Sequence, residues 1–205
     1  MKLPCTGVIL AGGRNTRLSG RNKAFLCIQG KRIVDHIYAI FKDLFEDIIL
    51  VTNDPVKYLE MDCRIVTDIF SIRSSLTGIH AGLFYASTQH SFFSACDTPF
   101  LKKELVETVI EGVEPNMDVV IPETSAGLEP LCAVYSKRCL KPIEQELILK
   151  KLKIQNFFKK MRVKKIPVEI LVKKDPDLIS FFNINTPDDI IKAEAIEAGS
   201  WKLDT

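Results

Sequence analysis

The sequence predicts an α/β fold with a mainly parallel central sheet, and three features of the chain point to it. Short segments over residues 7–10, 47–51, 64–67 and 92–96, each built on adjacent apolar residues, have the length of strands. Between them lie segments whose apolar residues recur three to four apart, such as Ile33, Val34, Ile37, Ile40, Phe41 and Leu44, the spacing of a one-faced helix. Each apolar run then breaks at glycine, asparagine or aspartate, so the polar residues collect just past strand ends. Strands alternating with helices require parallel pairing through right-handed crossovers. Open sheets of that kind bind ligands outside the carboxyl ends of their strands.

Composition narrows the function. At 205 residues the chain is read as one domain that hides about 70% of the surface its unfolded form exposes. Its 28 basic and 26 acidic residues leave a net charge of +2, without the basic excess of a nucleic-acid binder. No apolar run approaches the ~18 residues of a membrane span, and the N-terminal residues lack a signal-peptide core, so a cytoplasmic protein with neither nucleic-acid nor membrane partner is expected. The six cysteines, Cys5, Cys27, Cys63, Cys96, Cys132 and Cys139, form no Cys-x-x-Cys pair. They are expected to be reduced thiols within the fold rather than a zinc cluster.

The first strand runs into Ala11-Gly12-Gly13, followed by Arg14, Arg17, Arg21 and Lys23. Glycines let the backbone approach a ligand closely. Successive N–H groups in such a turn form an anion-binding nest, and the cations add a positive field. This suits a polyphosphate. It is not a Walker loop, because Asn22 and Ala24 flank Lys23, nor a G-x-G-x-x-G dinucleotide turn. A solvated strand-to-loop turn is the plainer alternative.

The rest of the chain follows the same alternation. An apolar stretch at 24–28 leads to a turn at 29–31 and a helix over 33–44. The strand at 47–51 ends at Thr52-Asn53, and a brief helix covers 56–60. The strand at 64–67 ends at Asp68. A helix over 78–87 points Ile79, Leu83 and Ala86 inward, with a lone His80 that packs or faces solvent. The strand at 92–96 ends at Asp97-Thr98-Pro99-Phe100 before a helix over 102–111. A strand at 118–122 comes next. A charge run around Phe157 and Phe158 is expected to be a solvated face, and 168–172 reads as a late strand. In the segment 181–189, Thr186 suits an N-cap, Pro187 the first helical position, and Asp188 and Asp189 the helix dipole. Asn183 and Asn185 alternate on a strand that would end at the site. Asn53 and Asp68 also fit simple strand-end caps, and Asp97 fits an N-cap.

The stations Leu10-Ala11-Gly12-Gly13, Arg17-Leu18, Gly20 and Lys23 resemble the L-A-G-G-x-x-x-R-L/M-x-G-x-x-K signature of nucleotidyltransferases, and most closely the molybdenum cofactor guanylyltransferase (MobA) family. Cys96-Asp97-Thr98-Pro99 resembles its C-D-x-P motif and Asn183 to Asp189 its N-x-N-T-P-E/D-D/E motif, so the likeness covers nearly the whole chain. It implies a Rossmann-like three-layer α/β/α nucleotidyltransferase fold in one domain over 1–205, with a nucleotide-binding part over roughly 1–100 and an acceptor-binding part over roughly 101–195. It implies nucleotide contacts at Leu10, Ala11, Gly12, Gly13, Lys23, Asn53, Asp68 and Asp97. Arg17, Lys23 and Asp97 would be catalytic, with Mg2+ on Asp97, and Asn183, Asn185 and Lys153 would meet the acceptor. An Asp accepts two hydrogen bonds together, as the N1–H and 2-amino group of guanine require, and Asp68 is one candidate for that role. The chain departs from the family at Ser74-Ser75-Leu76, where relatives carry Gly-Pro-Leu. It also lacks an acceptor-phosphate arginine, for which Lys151 or Lys153 stands in as a point charge.

The resemblance implies transfer of GMP from GTP to the phosphate of Mo-molybdopterin, giving a guanine dinucleotide cofactor and pyrophosphate. Molybdenum-cofactor insertion proteins or apo-molybdoenzymes would be further partners. A CTP-using molybdopterin cytidylyltransferase, a sugar-phosphate nucleotidyltransferase and a non-catalytic GTP or cofactor carrier remain open as alternatives. Gly12, where CTP-using relatives carry alanine, is expected to leave room for a purine.

Overall fold

The structure, a computed structural model, describes residues 2–12, 22–28 and 30–198. Strand β1 (Thr6–Leu10) is followed by a single 3-10 turn (Lys23–Phe25) and a small hairpin, β2 (Cys27–Ile28) and β3 (Lys31–Arg32). Helix α1 (Ile33–Leu44) leads to β4 (Ile48–Val51), a 3-10 turn (Pro55–Tyr58) and β5 (Arg64–Val66). Helix α2 (Ser75–Tyr85), β6 (His90–Ala95) and α3 (Lys103–Glu111) complete the first half. Then come β7 (Val119–Thr124), β8 (Gly127–Leu128), β9 (Cys132–Ser136), α4 (Leu140–Ile148), a 3-10 turn (Ile154–Lys160), β10 (Val163–Pro167), α5 (Val168–Leu171) and α6 (Pro187–Glu197).

The main sheet has the order β10-β7-β9-β6-β1-β4-β5, with β8 paired to β7. All pairings from β5 to β6 are parallel, and β9 runs antiparallel between β6 and β7. This is the mainly parallel α/β/α architecture that the sequence predicts. Successive side chains of each strand go to opposite faces, and both faces are covered. Ile9, Leu50, Phe92 and Val134 pack among α1, α3 and α6, while Val8, Leu10, Ile49, Phe93 and Tyr135 pack under α2 and α4. Gly82 allows α2 to lie against the sheet, since a Cβ there would sit 2.6 Å from Phe93 Cε1 and 2.7 Å from Val8 Cγ1. No helix among the described residues is long and apolar enough to cross a membrane.

Three expectations need correction. The late strand lies at Val163–Pro167 rather than 168–172, where the chain forms α5 instead. Strand β10 pairs with the β7 edge and needs only Ile166 deeply buried, so its lysines remain half-exposed or exposed and the segment lacks a strand's apolar run. Helix α2 begins at Ser75, because Ser74 accepts a hydrogen bond from the Thr77 N–H at 3.2 Å and caps it three residues ahead of Gly78. Residues 182–186 form no strand. His80 is buried and packed, its Nε2 lying 3.1 Å from Glu144 Oε1 between α2 and α4.

At the sheet edge where the parallel strands begin, Asp47 ties four segments together. Its Oδ2 accepts from Thr6 Oγ1 at 3.0 Å and from the Ser87 hydroxyl and N–H at 2.6 and 3.2 Å, while its Oδ1 meets Arg64 Nη2 at 2.5 Å. Burial pushes the Asp47 carboxyl up, but the bonds from Ser87, Arg64 and Thr6 outweigh it and hold the carboxyl below its ordinary value. Asp47→Ala should lower the unfolding free energy by about 2 kcal/mol at neutral pH, through the donors left unpaired. A carboxyl held low in the folded state stabilises above its unfolded pKa of ~4 and loses that contribution as the pH falls through the folded value. In urea titrations the gap between parent and variant should therefore narrow below about pH 4.

Candidate active site

Strand order reverses between β1 and β6: the chain moves from β1 outward to β4 and β5, then returns to the other side of β1. Loops leaving the two strands diverge there and open a crevice. The Cys96 N–H donates to Leu10 O at 3.1 Å, so Asp97 emerges beside the turn at Ala11-Gly12.

Lys23 is brought to the same point by its own turn. Asn22 caps it, with Oδ1 accepting from the Ala24 N–H at 3.1 Å and Nδ2 donating to the hydroxyl of buried Tyr58 at 3.0 Å. Lys23 Nζ then lies 3.0 Å from Asp97 Oδ2 and 2.6 Å from Asn185 Oδ1. Asn185 arrives from the far end of the chain. The Ile184 N–H donates to Asp97 O at 2.9 Å, and the Asn185 N–H to Asp189 Oδ2 at 2.9 Å. That carboxylate also closes the capping box with Thr186 at the start of α6. Ser180 holds the preceding turn against α3, its hydroxyl accepting from the Lys102 N–H at 3.0 Å.

The other Asp97 oxygen, Oδ1, is buried and has no hydrogen-bond partner among the described residues. A hard, unpartnered carboxylate oxygen fits a divalent cation that takes oxygen ligands. No group of three or more His, Cys, Asp or Glu able to hold a metal occurs among the described residues. The protein therefore offers one carboxylate, and phosphate and water oxygens would supply the remainder.

About the same crevice, β4 and β5 deliver Asn53 and Asp68, joined by an Asn53 Nδ2 to Asp68 Oδ2 bond of 2.7 Å. Burial pushes the Asp68 carboxyl above its ordinary value, and the Asn53 amide and the positive charge of Arg73 pull part of the way back. The cleft has a volume of about 590 Å³, with Leu10, Ala11, Gly12, Lys23, Asn53, Asp68 and Asp97 all in its lining. That size suits a small-molecule ligand. A Cβ placed on Gly12, which lines the cleft, meets no described residue within 4 Å. Cys96 also lines the cleft, but burial pushes its thiol up to about 12, so it is no nucleophile at neutral pH.

The structure thus brings together seven of the residues singled out in the sequence, and Asn185 with them. Gly13 and Arg17 lie outside the described residues. Asn183 is exposed and spends its amide on Phe181 O at 2.9 Å, and Lys153 is exposed and absent from the cleft lining. Asp54, Lys57, Arg73, Ser74 and Ser75 line the cleft without having been singled out as ligand contacts. Their signal was the one that found Asn53 and Asp68, namely polar residues in loops that leave the carboxyl ends of parallel strands.

The profile of the MobA-like NTP transferase domain matches residues 7–165. The chain belongs to the MobA-like NTP transferase family. It is 47% identical over 195 residues to the molybdenum cofactor guanylyltransferase of Desulfosudis oleivorans, covering 95% of this chain and 96% of that one. It is 36% identical over 193 residues to the probable molybdenum cofactor guanylyltransferase of Natranaerobius thermophilus, with 92% and 94% covered. Among solved structures, molybdopterin-guanine dinucleotide biosynthesis protein A from Archaeoglobus fulgidus superimposes with a TM-score of 0.84 at 30% identity, over 95% of this chain and 99% of that one. The MobA-like profile spans both strands that flank the crevice, and it ends before the segment that delivers Asn185.

The Lys23–Asp97 pair is partly open to solvent, at 18% and 21% exposure, so its contribution to stability is at most about 1 kcal/mol. Lys23→Met should keep the parent unfolding curve within that margin in urea titrations, whatever it does to ligand binding.

Proposed function

We propose that this protein transfers GMP from GTP to the phosphate of Mo-molybdopterin, forming the guanine dinucleotide cofactor and releasing pyrophosphate. The observation that carries the reading is the meeting of Lys23 with Asp97 and Asn185 in the cleft that also holds the Asn53–Asp68 pair. One group of residues suits a triphosphate and the other a nucleoside. The nucleotide contacts are Leu10, Ala11, Gly12, Gly13, Lys23, Asn53, Asp68 and Asp97, with the parts of Gly13 and Arg17 resting on the signature motif.

The attacking group is a phosphate oxygen, ionised at neutral pH, so no general base is needed. The work of the protein is to align two anions and offset charge on the α-phosphate and the leaving pyrophosphate. Lys23 is held by two acceptors and comes to the phosphates already oriented; the Ala11 N–H is taken by Val51 O at 2.9 Å, and the Gly12 N–H beyond it adds a fixed dipole. Asp97 would hold Mg2+ through its unpartnered Oδ1. When bound, the ion supplies Lewis-acid stabilisation of phosphoryl oxygens. Asn185 accepts from the Lys23 ammonium that also meets Asp97 and is the best placed of the acceptor contacts, with Asn183 and Lys153 further out. The division of labour follows the chain, the nucleotide on about the first hundred residues and the acceptor on those up to about 195, in one domain. The free state of all six cysteines fits a reducing cytoplasm, and insertion proteins or apo-molybdoenzymes would receive the product.

Pyrophosphate release should be measured with GTP, CTP and ATP, each with Mg2+ and Mo-molybdopterin. GTP should turn over fastest, and CTP turnover above that of GTP would reject the assignment. Nucleotide binding without release would favour a carrier. Asp97→Ala should lower turnover with GTP by about 100-fold or more, the scale of losing one preorganised electrostatic contact, with the unfolding curve retained.

A further inference from the structure

Three cationic side chains among the described residues line the cleft, Lys23, Lys57 and Arg73. Lys23 is paired with Asp97, and Lys57 with Asp54 at 2.5 Å. Arg73 is exposed and makes no hydrogen bond or ion pair with any described residue. Its backbone is nevertheless well anchored. Buried Thr77 donates from its hydroxyl to Ile72 O at 2.7 Å, and its N–H donates to Ser74 Oγ at 3.2 Å. The residues on both sides of Arg73 are therefore fixed, and Arg73 lines the same cleft as Asp68. A free planar fork of donors beside a carboxylate is a composite of opposite hydrogen-bonding character.

Guanine presents the same composite in reverse. Its N1–H and 2-amino group are donors on one edge, and its O6 and N7 are acceptors on the next. We propose that Arg73 reads the base, its guanidinium donating to O6 and N7 while the Asp68 carboxylate accepts from N1–H and the 2-amino group; this rests on the GTP reading above. Arginine is the residue whose donors match that pair of acceptors. The same arrangement rejects adenine on both edges. Adenine sets an amino donor against the guanidinium where guanine has O6, and an unprotonated N1 against the carboxylate. Specificity then comes from repulsion as well as attraction. Arg73 lies within electrostatic reach of Asp68, where its positive charge favours the ionised carboxylate.

The test is equilibrium binding to the full chain with Mg2+ present, using GTP, 7-deaza-GTP (which lacks N7), CTP and inorganic triphosphate as probes. Arg73→Ala should weaken GTP about tenfold, 7-deaza-GTP clearly less, and CTP and inorganic triphosphate by less than twofold. Arg73→Lys should recover only part of the loss, since an ammonium cannot supply the fork. An equal loss for GTP, 7-deaza-GTP and inorganic triphosphate would place Arg73 on the phosphates and overturn the proposal. No loss for any probe would make it a bystander and overturn it too. If the parent binds none of these nucleotides, the GTP reading itself fails and this proposal with it. Thermal unfolding of both variants should match the parent, because Arg73 makes no hydrogen bond or ion pair with any described residue.

Discussion

The candidate site depends at its centre on one ammonium group shared between two acceptors. Lys23 Nζ touches Asp97 and Asn185, which lie 74 and 162 residues further along the chain. No local structure could bring these together. The contact exists because β1 and β6 are neighbours on either side of the point where strand order reverses, and because the 183–185 segment is hydrogen-bonded beside Asp97. Each partner is itself held by a separate device: the Asn22 cap, the sheet ladder and the α6 capping box. A cation positioned in this way needs little reorganisation when an anion arrives.

Two polar centres divide the sheet. Asp47 gathers hydroxyl, amide and guanidinium donors at the edge where the strands start, all satisfied and all structural. At the opposite edge, Asp97 retains an unpartnered oxygen and Asp68 is held above its ordinary protonation range by burial. Unsatisfied or strained polar groups cost stability, and they tend to persist where a ligand completes them. The contrast between two aspartates at opposite strand ends separates scaffold from site more sharply than burial does.

Most of the fold was legible because apolar periodicity is strong where both sheet faces are covered. The α1 stripe from Ile33 to Leu44 and the runs at β1, β4 and β6 needed only their own residues. Legibility failed at the sheet margin. Strand β10 keeps Lys164 and Lys165 half-exposed or exposed and buries Ile166, so its signal was weaker than that of Val168 to Val172, a segment that turns into α5 after Pro167. The start of α2 was misplaced because Gly78, which stands against Leu10, is a helical glycine rather than a helix boundary.

For the site, the sequence by itself determined the chemistry. It set a glycine turn beside cations, carboxylates and an amide just past strand ends, and a capped helix after two asparagines, because residue type and distance from a strand end are local properties. Only the tertiary structure decided which of these meet. It joined Asn185 to Lys23 and left Asn183 bonded to the Phe181 carbonyl, kept Lys153 out of the cleft lining, and set Arg73 in the same cleft as Asp68. Those outcomes depend on strand order and on how the loops pack over the crevice, and neither is written in any single stretch of chain.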